Sequence, residues 1–185
     1  MNSLLESIQK NLGYLPLEKI NPNTQDVNPF KKKPGIHSLP QAAIPAMTWG
    51  LLNGLQSEEG SQIILHEEIA DWPEAVFGKK ASELVSRTAE YAGTSLEYTR
   101  QEIIHIANGV VRLIREASGK MKNQESIYQL AAQQKNETLL YLPAALHLGD
   151  LVNNNPMDDR THRMEGPISS IMHAIENRFN QAISL

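Results

Sequence analysis

The chain has 185 residues, 41% of them hydrophobic and 21% charged, with 17 Lys+Arg against 21 Asp+Glu for a formal net charge of −4. That supplies enough apolar surface for one packed domain, which excludes wholesale disorder, and the acidic balance argues against generic nucleic-acid binding. Cysteine is absent, which excludes disulfide scaffolds, thiolate zinc sites, Cys-held clusters and Cys nucleophiles, and is compatible with a cytoplasmic protein.

Residues 1–17 lack a basic n-region and an apolar h-region, so they do not read as a secretory signal. Met1 to Gly13 predicts a short amphipathic helix with Leu4, Leu5, Ile8 and Leu12 on one face, ended by Gly13. Residues 14–40 hold five prolines, three asparagines and Lys31-Lys32-Lys33. That composition predicts an extended arm, which Tyr14, Leu15, Leu17, Ile20 and Phe30 could anchor along the domain. The lysine run reads as a solvated stretch of that arm.

The longest stretch without Lys, Arg, Asp or Glu is Pro34 to Ser57. Its prolines, Gln41, Asn53 and His37 suit a buried helix, predicted over Ser38 to Gln56, better than a bilayer span. Ser57-Glu58-Glu59 reads as an N-cap and acidic first turn of a helix to Ile69. Trp72-Pro73 and Phe77-Gly78 read as turns. Trp49 belongs to the core helix, and Trp72 either packs over a helix end or meets a partner. Lys79 to Ala92 predicts a helix with Leu84, Val85, Thr88, Ala89 and Ala92 inward and Gly93 as its stop. Thr94 and Glu97 are spaced as a capping box for the next helix, whose stripe is Ile103, Ala107, Val110, Ile114 and Ala117, widened by Ile104 and Val111. Asn123 to Gln134 and Glu137 to Val152 read as two helices with a break between them, the second interrupted by Pro143. A last helix opens at Gly166-Pro167 with Ile168, Ile171, Met172, Ile175, Phe179 and Ala182 on one face.

The prediction is an all-α, compact multihelical bundle of seven or eight helices in a single domain, residues 1–185, with the extended Pro/Asn-rich arm at 14–40.

Without cysteine, a metal site needs His and carboxylates. Glu102/His105 and Asp159/His162 are i,i+3 pairs of the kind di-iron bundles use, with Glu67 and Glu90 as further candidates. Helical phase opposes this: His105 falls about 160° from the centre of its helix's apolar stripe, and bundle ligands project inward. Asp159 and His162 stand beside Arg160 and Arg163, and His173 and Glu176 flank or oppose the stripe of the last helix. Thr88 to Ser95 resembles the Ala-x3-Gly-x-Ser core of a helix–turn–helix. Yet Glu102 stands where an inner apolar residue is expected, and Glu97 occupies the turn that phosphate-facing cations would fill. No G-x-S-x-G, P-loop, G-x-G-x-x-G or H-E-x-x-H is present, since Ala70 stands four residues after His66. No catalytic, cofactor-binding or metal-binding residue is therefore assigned.

Ala42-Ala43-Ile44-Pro45-Ala46 with Gly50-Leu51-Leu52, then Val76-Phe77-Gly78-Lys79-Lys80, then the hairpin around Gly93-Thr94-Ser95, resemble the pattern of the YidB-like bacterial family of helical proteins of unknown function. Leu4-Leu5-x-x-Ile8 is similar to its opening helix, so the resemblance covers residues 1–117 at most. The Pro/Asn-rich arm departs from the family's Gly-rich stretches, and residues 121–185 have no counterpart. The resemblance implies an all-α fold in a bacterial protein and carries over no catalytic residue. The expected function is non-enzymatic: protein–protein contacts, with a second copy of the chain as the simplest partner. A His/carboxylate metal enzyme and a helix–turn–helix DNA reader stand as the alternatives.

Overall fold

The computed structural model describes residues 4–20, 38–121 and 123–152. Among them the chain is all helical, with no strand: α1 (Leu4–Leu12), α2 (Ser38–Gly54), α3 (Glu58–His66), α4 (Trp72–Phe77), α5 (Ala81–Ala92), α6 (Leu96–Ser118), α7 (Gln124–Leu139) and α8 (Leu148–Val152), with 3₁₀ turns at Gly78–Lys80 and Ala144–Leu146. The predicted last helix, from Gly166 onward, lies outside the described residues.

α2 is the axis of the bundle. Thirteen of its 17 residues are buried, so it has no solvent face and must sit in the middle. It packs most extensively against α6, α7 and α5, while α1 lies against α6. Pro45 stands inside α2 and cannot donate to the carbonyl of Gln41. Gly50 lets α4 close on α2: a Cβ there would stand 2.6 Å from Val76 Cγ1 and 2.8 Å from Phe77 Cζ.

Several local expectations hold. Ser57 caps α3, accepting from the Gly60 N–H at 3.1 Å. Gly93 ends α5 in the left-handed region at φ 65°, ψ 39°, and Leu84, Val85, Thr88, Ala89 and Ala92 are buried. Ile103, Ala107, Val110, Val111 and Ile114 form the buried face of α6, joined by Ile106 and Leu113, while Ala117 is only half-buried.

Other expectations are corrected. Trp72-Pro73 opens a helix rather than a turn: Asp71 caps it, accepting from the Glu74 N–H at 3.0 Å, and Pro73 sits in the first turn, where its missing donor is not needed, while the turn expected at Phe77-Gly78 ends that helix, with Gly78 at φ 53°. Trp72 is buried in the core, so it is no partner contact. The cap of α6 is Ser95, one residue later than predicted, accepting from the Tyr98 N–H at 3.3 Å. The Thr94 hydroxyl pairs with that of Thr99 instead, at 2.8 Å. α7 runs through Gln134 to Leu139 without a break, because Pro143 lies beyond its end and obstructs nothing upstream.

Long polar side chains tie the periphery to this frame. Arg115 of α6 reaches the end of α3, donating to the Ile64 carbonyl at 2.9 Å and to that of Glu67. Arg87 of α5 holds the 3₁₀ turn through the Leu146 and His147 carbonyls at 2.8 and 3.0 Å. Lys135 of α7 lies over the Trp49 ring, 5.7 Å from its centroid, and donates to Asn53 on α2 and to Gln56 just after it.

Candidate functional site

An open cleft among the described residues has a volume of about 610 Å³. One wall is the extended stretch after α1, Gly13 to Glu18; the floor is the first turn of α2, Ser38 to Gln41; the facing wall is Tyr91 of α5 with Tyr98 and Glu102 of α6. Only the beginning of the predicted arm, residues 14–20, is described, and it is extended; Ser38 to Pro40, its predicted end, is helical. Phe30 and Lys31 to Lys33 lie outside the described residues.

The extended wall is fixed by hydrogen bonds that leave little backbone slack. The Tyr14 N–H donates to the Gln9 carbonyl at 2.9 Å, and the Leu17 N–H to the Gln9 side chain at 2.8 Å. Gln41 mimics a peptide unit toward Glu18: its Oε1 accepts from the Glu18 N–H at 2.8 Å and its Nε2 donates to the Glu18 carbonyl at 3.0 Å. The same Nε2 donates to the Tyr141 carbonyl at 2.9 Å, and the Ile20 N–H donates to the Leu140 carbonyl at 2.8 Å. Tyr14 and Leu17 pack against the core as anchors, whereas Leu15, expected to anchor too, is 59% exposed at the rim of the cleft.

Across the cleft the Tyr14 hydroxyl donates to the Glu102 carboxylate. Burial first, then that hydrogen bond and the Glu102 charge, push the Tyr14 phenol well above its ordinary value. The cleft is thus lined by three tyrosines, Tyr14, Tyr91 and Tyr98, beside the Glu102 carboxylate. Among its described lining residues there is no Lys, Arg or His. Neighbouring cations point elsewhere. Arg100 is paired with Asp71, and Lys19 lies over the Tyr141 ring, 5.9 Å from its centroid.

The sequence candidates fare as follows. Glu102 is half-buried under Tyr14, while His105, three residues on, is exposed, as helical phase requires. Asp159, His162, His173 and Glu176 lie outside the described residues. Glu67 is exposed beyond the end of α3 and Glu90 is exposed on α5. Among the described residues no group of three His, Asp or Glu side chains is placed to hold a metal ion. The α5–α6 hairpin has the Gly93 turn of a helix–turn–helix, and Arg100, in the second turn of α6, is paired with Asp71. No helix among the described residues is long and apolar enough to cross a membrane. Comparison with family models, with curated proteins and with solved structures finds no match.

The sequence pointed to Tyr14 as an anchor, but not to its contact with Glu102 nor to the grip of Gln41 on Glu18. Each acts on a residue 88 and 23 positions away, respectively, so no local spacing announces the pair.

Proposed function

We propose that this protein works by contact with another polypeptide, that the cleft between the extended wall and the α5–α6 hairpin is the contact surface, and that a second copy of the chain is the simplest partner. The observation that carries this reading is the cleft itself: about 610 Å³ with Leu15 and Tyr98 exposed at its rim by 59% and 44%. Tyrosine presents an apolar body with a polar tip, which suits a surface that is wet when free and covered when bound. A wall held in place before binding loses little conformational entropy on binding. No catalysis is assigned. The YidB-like resemblance, with its bacterial setting, and a cytoplasmic location belong to the same reading.

Light scattering over a concentration series tests it. The wild-type mass should climb from 20.6 kDa toward twice that value, and a Leu15→Asp/Tyr98→Asp variant should stay at the monomer mass. A wild type that stays monomeric, or a dimer indifferent to the double substitution, contradicts it.

A further inference from the structure

We propose that the cleft is a seat for a cationic side chain, lysine or arginine, carried on an extended segment of the partner. This rests on the contact reading above and adds the chemistry of what is recognised.

The argument starts from Glu102. Its carboxylate is half-buried, and among the described residues no Lys, Arg or His forms an ion pair with it. A carboxylate withdrawn from water keeps its charge at a cost unless it gains donors or a countercharge. Tyr14 supplies one donor and no charge. The other ion pairs contrast with this: Glu83 has Lys80 and Arg87, Asp71 has Arg100, and Glu68, at 94% side-chain exposure, has Arg115. Glu102 has no such cation, and it faces the cleft.

The rings beside it point the same way. Tyr14, Tyr91 and Tyr98 line the cleft, and aromatic faces attract ammonium and guanidinium groups through their quadrupole. That attraction grows where water is displaced, as on a partly enclosed wall. Glu18 also lines the cleft, held there through its backbone. An anion would meet the Glu102 carboxylate and no cation among the described lining residues, and a neutral apolar group would leave Glu102 without a countercharge. At about 610 Å³ the cleft is roomier than one side chain needs, which leaves space for the segment that carries it. The long side of the cleft, Gly13 to Glu18, is extended and suited to lie beside it.

The chain's own composition offers one such run, Lys31-Lys32-Lys33, so the test controls for it. A fluorescein-labelled peptide of alternating lysine and serine is titrated with the full chain and read by anisotropy, beside a glutamate–serine peptide and an all-serine peptide. The lysine peptide should bind, and bind less as salt rises. Glu102→Gln keeps an acceptor for Tyr14 but removes the charge, and should weaken binding about tenfold; Tyr98→Ala, at an exposed rim position, should weaken it about fivefold. The same titration of a Lys31→Ser/Lys32→Ser/Lys33→Ser variant should give binding at least as tight, because a competing cation has been removed. Equal binding of the three peptides, absence of lysine-peptide binding in both the wild type and the triple variant, or indifference to Glu102→Gln overturns the proposal. Those results leave the contact reading standing if the mass of the wild type still rises with concentration, so the two failures are distinguishable.

Discussion

Gln41 grips the backbone of Glu18 at both ends, accepting from its N–H at 2.8 Å and donating to its carbonyl at 3.0 Å, while the same amide nitrogen reaches Tyr141. One side chain on the first turn of α2 thus holds the extended wall and the end of α7 together. Gln41→Ala should free that wall. Each lost hydrogen bond is worth about 1 kcal/mol, so global stability should fall modestly. Amide exchange should accelerate at Leu17, Glu18 and Ile20 well before it does in α2 or α6.

Tyr14 supplies a pH signature. Its folded-state phenol is raised above its ordinary value by burial and by Glu102. Stability from this group is complete below the unfolded tyrosine value, about pH 10, and is lost as pH climbs from there toward the higher folded value. In an alkaline absorbance titration, one of the five tyrosines should stay protonated beyond the others until the chain unfolds. Tyr14→Phe should remove that late component and leave the rest unchanged.

Two glycines mark close packing of different kinds. At Gly50 a Cβ would press on Val76 and Phe77 side chains, which can shift. At Gly60 it would stand 2.1 Å from the Gly54 carbonyl oxygen, where only backbone movement makes room. Gly50→Ala should cost about 1–3 kcal/mol. Gly60→Ala should cost more, since it also disturbs the Ser57 cap. Urea unfolding compares them, and the opposite order would contradict the packing described.

Arg115 and Glu68 separate a useful contact from an ornamental one. Arg115 satisfies carbonyls at the end of α3, whereas its partner Glu68 has a side chain 94% exposed. Arg115→Ala should lose about 1–3 kcal/mol, and Glu68→Ala less than about 0.5 kcal/mol. Equal losses would mean that the ion pair, not the carbonyl contacts, does the holding.

Much of the frame was written in local sequence. Ser57, Gly93 and the Ile103-to-Ile114 stripe carry their structural meaning in residue type and spacing, because caps, left-handed stops and amphipathic faces are short-range effects. Asp71 was missed as a cap because Trp72-Pro73 suggests a turn, although proline in a first helical turn fits the same residues. Thr94 misled because two adjacent hydroxyl residues compete for one cap, and the Thr94–Thr99 pairing decides it for Ser95. The cleft was hidden for another reason. Tyr14, Gln41 and Glu102 meet only after α2 has become the buried axis, and Glu102 in sequence looked like half of an E-x-x-H pair.

The central claim is that the cleft is the surface through which the chain meets its partner, and a dilution series of assigned amide spectra tests it most directly. As concentration rises, shifts should gather on Gly13 to Glu18, Ser38 to Gln41, Tyr91, Tyr98 and Glu102, with the exposed face of α7 silent. Shifts confined to α7, or spectra unchanged across the series, would contradict the account.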